Sequence, residues 1–159
     1  MAKRRDKTRG KINESMKPAV AELLHPGEHV RAAALVLSGP RPWLLGVIGM
    51  MLLNRFYYLV VTESRALFIR TTGLTRISPK GLEFSDPLSP GAVVDYRPSP
   101  LWTVIKYRRP DGSILRLNMN RLWLEDREPL VAALKAAPAG ATEASPTVSG
   151  APPAPPPQG

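Results

Sequence analysis

The 159-residue chain contains no cysteine. That excludes disulfide bridges, thiolate catalysis and cysteine-ligated metal, and it fits a reducing compartment. Histidine is nearly as scarce, with only His25 and His29. Their four-residue separation would set two imidazoles on one helix face, but Pro26-Gly27 between them forbids that helix. Neither a metal site nor a cofactor is expected. No serine, histidine and acid grouping with catalytic spacing can be argued, so the chain is not read as an enzyme and no small-molecule substrate is assigned. Aromatic residues make up only 6% of the chain. No helix-turn-helix, zinc-finger or base-stacking pattern is present, which disfavours nucleic acid. A secretory leader is also missing: the basic residues at the start are followed by Asn13, Glu14, Ser15 and Lys17 rather than an apolar run. A cytoplasmic protein is expected.

What the chain does have is positive charge, +9 formally. Residues 1–11 carry Lys3, Arg4, Arg5, Lys7, Arg9 and Lys11 against Asp6 alone. A like-charge block without apolar periodicity predicts a disordered basic arm. Residues 137–159 hold seven prolines, no aromatic residue and a single charge, Glu143. Such a composition buries too little apolar surface to offset ordering entropy and predicts a disordered tail. Residues 12–136 are long enough for one domain with one core. The charge balance favours an acidic surface as partner, and on charge alone anionic lipid headgroups and nucleic acid both fit.

Along that domain, Ile12, Met16, Ala19, Val20, Leu23 and Leu24 recur at helical spacing, with Ser15 as a candidate cap and Pro18 in a first turn. Pro26-Gly27 ends this short helix. Seven strands are predicted, over residues 29–37, 56–62, 66–70, 81–85, 92–96, 101–108 and 113–119. Residues 56–62 lack alternation, which predicts a strand buried on both faces, and Glu63-Ser64 predicts a tight turn after it. In the last hairpin, Leu101, Thr103, Ile105 and Tyr107 alternate with polar or outward positions, and Pro110-Asp111-Gly112 turns the chain. Leu115, Leu117 and Met119 are expected to face the core, and Arg116, Asn118 and Asn120 water. A final helix over 125–135 has Glu125, Asp126 and Glu128 in its first turn and Lys135 in its last, matching the helix dipole. Its carboxylates need no catalytic role.

Residues 43–53 are eleven apolar or glycine residues in a row. As a helix they reach about 16 Å, roughly half the hydrocarbon thickness of a bilayer. Extension to residue 61 places Asn54 and Arg55 inside the span, at about 2.5–3.5 kcal/mol for an arginine near its centre.

The strand order with one closing helix, together with Leu24-His25-Pro26-Gly27-Glu28, the run Tyr57-Tyr58-Leu59-Val60-Val61-Thr62-Glu63-Ser64-Arg65-Ala66-Leu67 and the closing Trp-containing helix, resembles small bacterial pleckstrin-homology-like proteins. The resemblance covers residues 24–134. It implies a mainly β fold: a seven-strand bent sheet or partly open barrel with a C-terminal helix. A short N-terminal helix and an apolar insert between strands one and two are added to that plan. It further implies a non-catalytic scaffold found near membranes or in multiprotein assemblies. Eukaryotic members commonly hold inositol phosphates with basic residues in the loop between strands one and two. Here that loop is mainly apolar, so no such pocket is carried over.

The function expected is peripheral attachment to an anionic membrane surface, on the inner face of the cell membrane, or docking of a partner there. Trp43, Leu44, Leu45, Ile48 and Met51 are candidate acyl and interfacial contacts, with Arg41 and Arg55 meeting phosphates. Lys3, Arg4, Arg5, Lys7, Arg9 and Lys11 are the candidate anionic-surface contacts. Two alternatives stand beside it. One is a single-pass membrane protein with a helix over 43–61. The other is a soluble protein-protein adaptor without lipid contact. The insert packed on the domain's own sheet and the arm as a mere solvated extension are the bland readings of the same residues. Oligomeric state is left open.

Overall fold

Residues 2–39, 54–72 and 77–136 are described by the computed structural model. Their order is α1 (Ala2–Leu23), β1 (Val30–Ser38), β2 (Arg55–Thr62), β3 (Arg65–Thr71), β4 (Pro79–Pro87), β5 (Val93–Arg97), β6 (Trp102–Arg108), β7 (Ile114–Asn120), a 3-10 turn (Arg121–Trp123) and α2 (Arg127–Lys135). The strands form one antiparallel sheet in the order β4-β3-β2-β1-β7-β6-β5. A bent, unclosed seven-strand sheet followed by a helix is the pleckstrin-homology-like architecture.

The unbroken apolar run of β2 explains the bend. Every residue from Phe56 to Val61 is buried, so both faces of this strand need a cover. On one face Phe68 of β3 packs 4.5 Å from Phe84 of β4 and 5.4 Å from Tyr107 of β6, ring centre to ring centre. Strands β3 and β6 are far apart in the sheet order, so the sheet folds over to bring them together. Arg109 fastens this fold: its Nε and Nη2 donate to the Asp86 carboxylate at 3.1 Å each, and its guanidinium stacks 4.0 Å over Phe84. The opposite face of β2 is covered by α1 and the 3-10 turn. Ile12, Met16 and Val20, four apart on α1, are buried. The Tyr58 hydroxyl donates to Asn13 Oδ1 at 2.8 Å, and Trp123 lies 6.3 Å from the Tyr58 ring. Burial pushes the Tyr58 phenol up to about 12. From α2, Leu130, Val131 and Leu134 complete the core.

Several expectations are corrected. The first helix starts at Ala2, so the basic block expected to be disordered is its first half. Lysine and arginine are good helix formers, and Arg9 relieves the charge by reaching Glu125 at 2.9 Å and Asp126 at 3.0 Å. Ser15 is no cap, since its hydroxyl donates to the Ile12 carbonyl within the helix, and Pro18 lies inside the same helix. Glu125 and Asp126 precede α2, and Asp126 makes no side-chain capping bond because its carboxylate turns to Arg9. In the last hairpin Ile105 opposes Leu117 and Tyr107 opposes Leu115, as the alternation requires. Leu101 is however 61% exposed, and Asn118 is fully buried. Its amide donates to the carbonyls of Leu37 and Gly39, both at 3.3 Å, where the end of β1 pairs with β7.

The sheet edges are β4 and β5. Pro79 and Pro87 bound the first, and a bulge between Val93 and Asp95 interrupts the second. Of the sequence candidates, Arg41, Trp43, Leu44, Leu45, Ile48 and Met51 lie outside the described residues, as does the expected tail 137–159. The alternative of a helix over 43–61 is overturned, because residues 55–62 are strand β2, paired on both sides with β1 and β3. Among the described residues no helix is long and apolar enough to cross a membrane.

Candidate functional site

The two ends of the β2 ladder each gather a cluster of polar side chains. At the β2–β3 turn, Glu28 and Arg65 form a bidentate pair: Arg65 Nε donates to Oε1 at 2.9 Å and Nη2 to Oε2 at 2.7 Å. The Thr62 hydroxyl donates to the same carboxylate at 2.6 Å and the Ser64 hydroxyl at 3.2 Å. The His25 backbone N–H donates to Oε2 at 2.9 Å. Arg65 Nη2 also donates to the carbonyl of Leu23 at 2.7 Å, which ties the end of α1 to the hairpin. The Arg65 guanidinium, with the hydroxyl and backbone donors, holds the Glu28 carboxyl well below the usual carboxylate range. The Pro-Gly-Glu and Val-Thr-x-x-Arg phrases, more than thirty residues apart, therefore meet in one satisfied node. Its role is structural.

The other end, where β2 and β4 begin and β3 finishes, is different. Arg55 Nη1 donates to Glu83 Oε1 at 2.7 Å, and the Tyr57 hydroxyl donates to the same oxygen at 3.0 Å. Arg70 Nε stands 3.7 Å from Glu83 Oε2. An open depression of about 400 Å³ is lined by Arg70, Lys80, Gly81, Leu82 and Glu83. Two arginines thus share one carboxylate, with Lys80 on the rim of the same depression. Arg55 and Arg70 remain about half exposed or more. Beside them, the Asn54 amide and the Thr71 hydroxyl are buried without any hydrogen-bond partner, a cost of about 1–3 kcal/mol each.

Helix α1 points its basic half toward this second end. Asn13 sits at Tyr58 and Leu23 at Arg65, so the helix runs in the direction of β2. Ala2 lies about 16 Å before Asn13 along a helix, whereas Arg55 lies about 10 Å before Tyr58 along a strand. The first turns of α1, with Lys3, Arg4, Arg5 and Lys7, accordingly extend past the start of β2. Residues 40–53 join β1 to β2 at this same end.

The side chains of Lys3, Arg4 and Arg5 lie outside the described residues, and the other three arm cations divide by role. Lys7 and Lys11 are exposed, while Arg9 is spent on Glu125 and Asp126. Arg55 was legible in the sequence, but Arg70, Lys80 and Glu83 were not, because only strand register brings them together. His25 and His29 form no pair; His29 Nδ1 instead lies 3.4 Å from Glu63. Among the described residues no group of three or more histidine, aspartate or glutamate side chains is placed to hold a metal.

No protein-family model matches the chain, and no curated protein matches it either. Among solved structures it is similar to the hSac2 domain from human phosphoinositide phosphatase Sac2, at 10% identity and a TM-score of 0.37, over 79% of this chain and 78% of that one. A likeness of that size carries no functional argument.

Proposed function

We propose that the chain is a non-catalytic binding module of the bacterial pleckstrin-homology-like type that attaches peripherally to an anionic membrane surface, or docks a partner there. The observation that carries this reading is the convergence at one end of the sheet. There the first turns of α1 extend toward the end of the sheet where β1 stops and β2 starts, and the exposed Arg55 and Arg70, with Lys80, lie at that same end. Charge attraction raises the local concentration at an anionic leaflet, each nearby lysine or arginine contributing about 1 kcal/mol. Apolar side chains such as Trp43 and Leu44 then supply insertion into the interfacial layer.

Co-sedimentation of the full chain with vesicles of phosphatidylcholine, with and without phosphatidylserine, tests the reading. Binding to the anionic vesicles alone, weakened by salt over the Debye range, is the expected result. Glutamine at Lys3, Arg4, Arg5, Lys7 and Lys11 together should reduce binding and flatten its salt dependence. These substitutions leave Arg9 and its ion pairs intact. Full-length protein that stays in the supernatant with both vesicle types sinks the proposal and leaves the soluble adaptor.

A further inference from the structure

On the other side of the molecule from the Arg70 and Lys80 depression, a groove of about 510 Å³ runs between α1 and strands β1 and β2. Val20 of α1 and Leu24 just after it line it with Val30 and Ala33 of β1 and Val60 of β2. Val30 remains 43% exposed. The polar members of the lining are few. Asn13 and Lys17 sit one helical turn apart on the border. Because Asn13 Oδ1 accepts from Tyr58, its Nδ2 is left as a donor. Lys17 is held by Glu14 in an exposed pair, an interaction worth little in water and readily exchanged for another anion.

An apolar slot with a cation and an amide donor on one border has the polarity of an amphiphile with a single anionic head. We propose that this groove binds a long-chain fatty acid. Its tail lies against Val20, Leu24, Ala33 and Val60, and its carboxylate meets Lys17 Nζ and Asn13 Nδ2. The volume falls within the range of about 300–1,000 Å³ usual for small-ligand sites. A neutral or cationic amphiphile lacks the complementary charge. An extended peptide fits less well, since its backbone groups would lie against apolar walls with few partners for them.

Calorimetric titration of the full chain with hexadecanoate, dodecanoate and hexadecyltrimethylammonium, each below its micelle concentration, tests the proposal. Saturable binding of hexadecanoate is expected, falling about tenfold for each pair of methylenes removed, with none for the ammonium. Ala21→Leu, an exposed helix position on the groove, should fill the slot and lower affinity by at least about tenfold, with thermal midpoint and vesicle binding unchanged. Lys17→Gln should lower carboxylate affinity about fivefold and serves as the second variant should the first fail to fold. No saturable uptake, affinity independent of chain length, or an Ala21→Leu variant that binds as the parent does would each overturn the site. So would self-association abolished by Ala21→Leu without hexadecanoate uptake, which would make the groove a chain-chain interface. The site does not depend on vesicle attachment, so either reading fails without the other.

Discussion

The two ends of the β2 ladder use similar residues to opposite effect. At the turn end, Arg65 and Glu28 are shielded from water and every acceptor position on the carboxylate that a neighbour reaches is occupied. At the other end Arg55 and Arg70 share a single Glu83 beside Lys80, while Asn54 and Thr71 stay buried without partners. The difference teaches where each end spends its polar groups. The first locks α1 to the hairpin and belongs to stability. The second puts two half-exposed arginines on one carboxylate and leaves two buried polar groups unpaired, and it is the end on which the proposed attachment draws.

Breaking the first end should produce the largest effect. Arg65→Met leaves Glu28 buried without its cation and should cost about 3–5 kcal/mol in urea unfolding, without a specific change in vesicle affinity for the folded fraction. The same node sets an acid dependence. Glu28 titrates lower in the folded than in the unfolded chain, so its contribution is complete above the unfolded value near 4.5 and is lost as pH falls below it. Glu28→Gln should flatten the acid limb of a stability-pH curve; an unchanged limb would remove this residue from the account. Met16→Ala, which empties the contact of α1 with the sheet, should cost about 2–4 kcal/mol.

Effects at the second end should have the other sign or the other readout. Thr71→Val removes a buried hydroxyl that nothing satisfies and should raise stability by about 1 kcal/mol. A loss would show that the hydroxyl is satisfied in solution. Arg55→Ser with Arg70→Ser should move stability by under about 0.5 kcal/mol, yet lower anionic-vesicle affinity by about fivefold per charge. Equal effects of this pair on stability and on binding would erase the contrast between the ends.

Strand positions were legible because short apolar runs, alternating in the last hairpin and unbroken in β2, are bounded by the turn residues Pro26-Gly27, Glu63-Ser64 and Asp111-Gly112. The faces of the last hairpin followed from the same pattern, except where tertiary structure overrode it. Asn118 reads as a solvent residue until the end of β1 pairs beside it and offers the carbonyls of Leu37 and Gly39. The start of α1 was hidden for a related reason. A cationic block looks unstructured until Glu125 and Asp126, over a hundred residues later, come within reach of Arg9. Arg55 stood out beside an apolar run, but the grouping of Arg70, Lys80 and Glu83 exists only in the register of β3 on β4.

Gathering molecules on a two-dimensional surface raises their mutual encounter rate, and an unguarded sheet margin then becomes a template for runaway strand pairing. The imino acids that frame β4 remove a backbone donor at each limit of that margin, and the irregularity in β5 twists the opposite one out of line. Copies gathered by the proposed attachment would therefore lie side by side without zipping into a continuous β ribbon.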